Sequence, residues 1–96
     1  MNIDIEIPVI DTVKIGARIK NYMKRNSISA AQMGEIMGFT SPQAVYKWLS
    51  GKDLPKIDNL VILARMFDTT VEGIILGDED EPSHHIRTIS REVRAA

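Results

Sequence analysis

The residues best suited to a chemical role lie within one short segment of the chain, 41–50. Three polar side chains recur there at intervals of four and three residues, so on a helix they share one face: Gln43, Lys47 and Ser50. Tyr46 borders that face, and an apolar stripe occupies the opposite side: Val45, Trp48 and Leu49. A glutamine amide can hold adenine through two hydrogen bonds, and a lysine can reach a guanine or a phosphate. The pattern predicts a helix that contacts DNA through its polar face; the alternative for Lys47 is a solvated lysine.

A second short helix must hold this segment in place. Ser29 followed by Gln32 matches a capping box, which predicts a helix over 29–37. Gly38 follows directly and suits the left-handed turn at a helix end. We assign Gln32 to the capping box rather than to a DNA contact. The side chains expected to face the core are Met33, Ile36 and Met37.

The polar segment has its own start and stop signals. Ser41 is the predicted N-cap, and Pro42 occupies the first helical position, which tolerates a missing N–H. Gly51 ends the helix. Trp48 is assigned to the core. The free N–H groups of the first turn could also bind a phosphate.

Three further amphipathic segments complete a five-helix domain over 12–77. The first begins at Thr12, stops at Asn26-Ser27 and turns one apolar face inwards: Ile15, Ile19, Tyr22 and Met23. The fourth is expected to bury Ile57, Leu60, Val61 and Ala64, assisted by Leu63 and Phe67. Thr69 with Glu72 predicts a capping box for the fifth helix, which ends at Gly77.

Both ends of the chain differ from this domain. Strict alternation over residues 2–9 predicts a half-buried strand within an arm, residues 1–11. No later segment shows a comparable strand pattern, so we expect the arm either to pair with a second copy or to lie free or against the helices. Residues 78–96 are expected to form an acidic linker (78–82) and a flexible or short helical tail, in which Ile86, Ile89 and Val93 have near-helical spacing.

Charge is unevenly distributed along the 96 residues, although the formal net charge is only -1. Residues 12–77 hold nine Lys and Arg against five Asp and Glu, whereas both flanking segments are acidic. A local basic excess is compatible with a nucleic-acid partner. The absence of cysteine excludes disulfides and thiolate metal sites, and fits a cytoplasmic protein. No secretory signal or stretch long enough to span a membrane is present, so no membrane partner is expected.

The ordered series of residues in the central segment resembles the Cro/lambda-repressor-like (XRE-like) helix-turn-helix family of transcriptional regulators. The resemblance runs from Ile15-Gly16 to Leu76 and rests on the turn at Gly38, the segment Ser41–Trp48, Gly51, Leu54-Pro55 and Asp58-Asn59-Leu60. It implies an all-α, five-helix domain that sets its third helix in the major groove of DNA, here preceded by a strand-like arm.

Particular contacts follow from this resemblance together with the polar face. The residues expected to read bases are Ser41, Gln43, Ala44, Tyr46 and Lys47. Those expected near phosphates are Lys47, Ser50 and Lys52. The basic face of the first helix adds Arg18 and Lys14, for which the alternative is a solvated face. The chain departs from the family at Ala30, where a glutamine phosphate contact is common, and at Met23 and Leu49, which replace a frequent ion pair.

The expected function is that of a transcriptional repressor that binds DNA sequence-specifically. It is expected to act as a homodimer on a two-part site. The alternative is a protein-interaction or antitoxin-like module that keeps the helix-turn-helix as a scaffold. Enzyme motifs are absent, and neither a cofactor nor a small-molecule ligand is expected. His84-His85 lacks the spacing and companions of a metal site, so no metal is expected.

Overall fold

The computed structural model describes residues 1–77 and 86–92. In the second range it describes the backbone throughout and the side chains of residues 90–92. The elements follow in the order β1 (Asn2–Pro8), α1 (Thr12–Arg25), α2 (Ala30–Met37), α3 (Gln43–Ser50), α4 (Ile57–Met66), α5 (Val71–Leu76) and β2 (Ile86–Glu92). The five predicted helices are therefore confirmed, and so is the strand in the arm. No helix in these described ranges has the length and apolar character needed to cross a membrane.

The helices enclose one apolar core. Its buried members are Ile15, Ile19, Met23, Met33, Val45, Trp48, Leu60, Leu63, Ala64, Phe67 and Ile74. Tyr22 stacks on Phe67 with ring centroids 5.3 Å apart, and Phe39 meets Trp48 edge-on at 5.6 Å. The prediction that Trp48 belongs to the core is confirmed, since its side chain is almost fully buried.

Close approach of two helices fixes the position of α3. Gly16 of α1 lies directly against the backbone of α3: a Cβ atom there would collide with the Trp48 carbonyl oxygen and lie 2.9 Å from that of Leu49. At the end of α3, Gly51 has a φ of 78° and its Cβ position would lie 2.8 Å from the Cα of Val13. Both glycines let α1 and α3 pack backbone to backbone.

The predicted turn between α2 and α3 is confirmed in most details. Ser29 accepts a hydrogen bond from the Gln32 N–H, and the Gln32 side chain accepts one from the Ser29 N–H, which completes the capping box. Gly38 closes α2 in the left-handed conformation. These local bonds set the direction in which the chain enters α3.

Two predicted helix starts are each wrong by one residue. Helix α3 begins at Gln43 with Pro42, not Ser41, as its N-cap, and no side chain caps it. In α5 it is Thr70, not Thr69, whose hydroxyl accepts from the N–H of Gly73. At the start of α5 the two adjacent threonines are equally suitable caps, and sequence alone does not decide between them.

The predicted buried faces of α2 and α4 are wrong in part. Ile36 is 54% exposed and Ile57 is 68% exposed, and Val61 also lies at the surface. Leu63 and Phe67, predicted only to assist, are buried instead. On α4 the inward face is therefore centred on Leu60, Leu63 and Phe67, rotated from the predicted one because several apolar stripes fit the same sequence.

A second strand corrects the predictions for both chain ends. Residues Ile86–Glu92, expected to be a flexible or short helical tail, form β2. It pairs with β1 in antiparallel register from Asn2↔Glu92 to Pro8↔Ile86. The expectation that β1 has no partner strand in its own chain is therefore wrong. The predicted acidic linker at 78–82 lies outside the described residues, as does Val93.

Candidate nucleic-acid interface

Helix α3 presents the polar face that its sequence predicts. Gln43, Tyr46, Lys47 and Ser50 are all exposed, whereas Val45 and Trp48 are buried. The Ser50 hydroxyl donates to the Lys47 carbonyl oxygen at 3.1 Å. The amide of Gln43 and the amine of Lys47 thus stand on the same open surface, where a base edge or a phosphate can approach them.

The beginning of α3 adds backbone donors to this surface. Pro42 caps the helix without a side-chain hydrogen bond, so the first-turn N–H groups have no partner within the helix. Ser41 is exposed beside them, and Ala44 is half-buried. Such a helix start attracts anions through its N–H groups and its dipole.

A groove between α3 and α4 extends the surface. Its walls are formed by Phe39, Ala44, Lys47, Trp48, Asp53, Leu54, Lys56 and Asn59. Sequence reasoning missed Lys56 and Asn59. Lys56 is exposed at the N-cap of α4, and a lysine just ahead of an apolar helix is the signal that could have found it. Lys52 is exposed just beyond the C-terminal end of α3, where its backbone N–H donates to the Lys47 carbonyl oxygen.

The remaining two predicted phosphate residues lie elsewhere. Arg18 donates from its guanidinium to the carbonyl oxygens of Ile74 at 3.0 Å, Ile75 at 2.8 Å and Leu76 at 3.3 Å, and so satisfies the end of α5. Lys14 lines the same α1–α5 groove. Gly16, which packs on α3, is on the other side of α1. The structure therefore brings the residues from Ser41 to Lys52 together and leaves Lys14 and Arg18 apart.

Comparisons with known proteins decide the family. The family model described as helix-turn-helix (HTH_3) matches residues 19–74, more than half of the chain. The chain belongs to the helix-turn-helix family. No curated protein sequence matches this helix-turn-helix chain. Among solved structures it is similar to the P22 c2 repressor in complex with the synthetic operator 9T, with 26% identity and a TM-score of 0.61 over 67% of this chain and 96% of that one.

The fold expected from the resemblance is confirmed by this match. The five helices have the arrangement of a lambda-repressor-like domain, and the family and fold are those of DNA-binding transcription regulators. The β1–β2 ribbon is added to this arrangement in the helix-turn-helix protein.

The residues that depart from the family pattern lie in the core or pack against it. Ala30 is the first residue of α2 and packs partly against the core. Met23 is buried and Leu49 is packed against the same core. Apolar packing thus stands where many family members have an ion pair, and such an exchange is often neutral or stabilising.

Among the residues that the structure describes, no group of three or more His, Asp or Glu side chains is placed to hold an ion. His84 and His85 lie outside the described residues.

Proposed function

We propose that the protein is a sequence-specific DNA-binding repressor that inserts α3 into the major groove. The observation that carries the proposal is the exposed polar face of α3. On the opposite side of the helix, Trp48 is buried in the core and so anchors α3. A helix fits the major groove, and a polar face is what reads base edges there. We also propose a cytoplasmic location, which a DNA partner and the absence of cysteine support.

The proposed contacts divide into two sets. Bases are read by Ser41, Gln43, Ala44, Tyr46 and Lys47. Phosphates are bound by Lys47, Ser50 and Lys52, and Lys56 joins them because it lines the same groove as Lys47. Lys14 and Arg18 were expected near phosphates because they lie on the basic face of α1. The bonds of Arg18 to α5 favour a structural role for that residue, and Lys14, which lines the same groove, stays a candidate phosphate contact. We further propose a homodimer on two half-sites about one helical turn apart.

The experiment that tests the proposal is selection of binding sites from random duplex DNA. Wild type is expected to enrich a defined motif. Gln43→Ala should blur one or two positions of it, because the lost amide read those bases. Lys47→Ala should weaken binding to all sequences and lower the salt slope by about one unit, as the loss of one phosphate contact does. Lys24→Ala, which removes an exposed lysine from α1, is the matched control. A folded wild type that enriches no motif would refute the proposal.

Repression is tested separately. A reporter gene whose promoter overlaps the selected motif should lose expression when the wild-type protein is present, and Gln43→Ala should restore it. Increased expression with the wild-type protein would instead assign an activator.

One observation favours a second candidate function, a protein-interaction module built on the same scaffold. Apolar side chains at the surface of α4 and the loop before it include Leu54, Ile57 and Val61. Exposed apolar residues next to one another are typical of protein-binding surfaces. Salt distinguishes the two functions: binding to DNA weakens steeply as salt rises, whereas apolar docking to a protein does not.

A further inference from the structure

The groove between α3 and α4 has a carboxylate beside its two lysines. Lys47, Lys56 and Asp53 all line it. Asp53 is exposed, and its backbone N–H donates to the Lys47 carbonyl oxygen at 3.3 Å, so the end of α3 fixes the place of this residue. In the proposed complex the two lysines bind phosphates of the DNA. A carboxylate beside them repels the phosphates that they attract.

Local stability gives no reason for a carboxylate at this position. Within residues 1–77 and 86–92, the side chain of Asp53 forms no hydrogen bond or ion pair. It follows the C-terminal end of α3, where the helix dipole disfavours a negative charge. Asp58, the next carboxylate along the chain, lies instead in the first turn of α4, where the dipole favours it, and accepts a hydrogen bond from the Asn59 N–H at 2.9 Å. Asp58 thus has a structural role that Asp53 lacks.

We propose that Asp53 limits how tightly the protein binds DNA, because its charge partly cancels the attraction of Lys47 and Lys56 for phosphates. The inference rests on the proposed function and adds to it a residue that opposes binding. Phosphates are the same in every sequence, so Asp53 should weaken binding to random duplex and to the selected motif by the same factor. Random duplex is bound through phosphates alone, and the protein is therefore released from it readily while base contacts still hold the motif.

Coulomb's law gives the size of the effect and its dependence on salt. A unit charge about 6 Å from one phosphate, at an effective dielectric constant of about 40–80, changes a binding constant about three- to tenfold. The Debye length falls from about 14 Å at 50 mM salt to about 4 Å at 500 mM. The effect of Asp53 should therefore be clear in dilute salt and nearly vanish in concentrated salt.

Two neutral substitutions at position 53 test the proposal. Asp53→Asn and Asp53→Ala both remove the charge, and only the first introduces a side chain that can donate a hydrogen bond to DNA. In fluorescence-anisotropy titrations at about 50 mM salt, both variants should bind the selected motif about fivefold more tightly than wild type. At about 500 mM salt the gain should fall below about twofold. The same gains are expected on random duplex.

Asp68→Asn is the matched control, because it removes the same charge from an exposed position beyond the other end of α4. Asp68 has a φ of 52°, and asparagine adopts this left-handed conformation as readily as aspartate does. The length of α4, roughly 15 Å, separates Asp68 from Lys56. The control should therefore bind both DNAs within about twofold of wild type.

The possible results separate the proposal from its alternatives. Unchanged affinity in both Asp53 variants, or an equal gain in Asp68→Asn, would overturn it, the second by assigning the gain to net charge. A gain in Asp53→Asn alone, or one that persists in concentrated salt, would assign a new contact instead. A gain on the motif but not on random duplex would place Asp53 among the base-reading residues and also overturn it. A folded wild type and folded variants that all fail to bind DNA would refute the proposed function, and this inference with it.

Discussion

Two glutamines in the helix pair have different surroundings and therefore different expected roles. Gln32 closes the capping box of α2 through its hydrogen bond with the Ser29 N–H at 2.9 Å, whereas Gln43 is exposed at the start of α3. We expect Gln32→Ala to lower the free energy of unfolding by about 0.5–1 kcal/mol, as the loss of a cap does, and to leave DNA specificity intact. Gln43→Ala should leave the free energy of unfolding nearly unchanged and alter DNA specificity. Urea unfolding followed by Trp48 fluorescence and binding-site selection measure the two effects, and identical behaviour of the variants would contradict both assignments.

Arg18 is predicted to act on stability rather than on DNA. Its guanidinium donates to three carbonyl oxygens at the end of α5, and charged hydrogen bonds of this kind, half-exposed here, contribute about 1–2 kcal/mol. Arg18→Met keeps much of the aliphatic stem and should lower the free energy of unfolding by that amount, with an unchanged salt slope for DNA binding. Lys20→Met removes the same charge from an exposed position of α1 and should change stability little. A salt slope lowered by about one in Arg18→Met would restore the phosphate role.

At the scale of elements, the α1–α3 contact depends on the missing side chain at Gly16. In an ordinary helix, alanine is more stable than glycine by about 1 kcal/mol. At Gly16 the sign should reverse: Gly16→Ala drives a methyl group into the α3 backbone, and such overpacking costs about 1–3 kcal/mol. Gly34→Ala in α2 is the matched control, because its Cβ would stand 3.4 Å from Pro42 at ordinary contact distance. Thermal unfolding of both variants measures the difference, and a stabilised Gly16→Ala would show that α1 and α3 have room to separate.

Signals that act over a few residues could be predicted from the sequence. The capping box at Ser29 and the glycine stops at Gly38 and Gly51 depend only on neighbours in the chain, and each lies where it was predicted. The exposed polar face of α3 was predicted for the same reason, since the helical period alone sets Gln43 and Lys47 opposite Val45.

Features that depend on distant contacts were missed. Ile57 and Val61 fit an apolar stripe as well as Leu63 does, and only the packing of α4 on the other helices selects among them. In residues 86–92 apolar and polar residues do not alternate strictly. This segment forms a strand because it pairs with β1 at the other end of the chain. Lys56 joined the candidate site only when the fold brought α4 beside α3.

For the whole molecule, the ribbon and the helical domain have separable tasks. None of the residues around α3 or its groove belongs to β1 or β2. We therefore expect Ile5→Lys, a change at an exposed position of β1, to leave the affinity for the selected DNA motif within about twofold of wild type. Gel-shift titrations on that motif measure this, with Glu6→Lys as the control. A large loss of affinity in Ile5→Lys alone would mean that the ribbon supports the fold of the helical domain instead.

The pairing of Asn2 with Glu92 has a consequence for the order of events during synthesis. Strand β1 leaves the ribosome before the helices α1 to α5, yet its partner β2 emerges only after they have been translated. Helices form through contacts that are close in sequence and fold fast, whereas a pairing across nearly the entire chain must wait and then close a long loop. The helical domain is thus complete before the ribbon exists, and a newly made molecule gains the ribbon last.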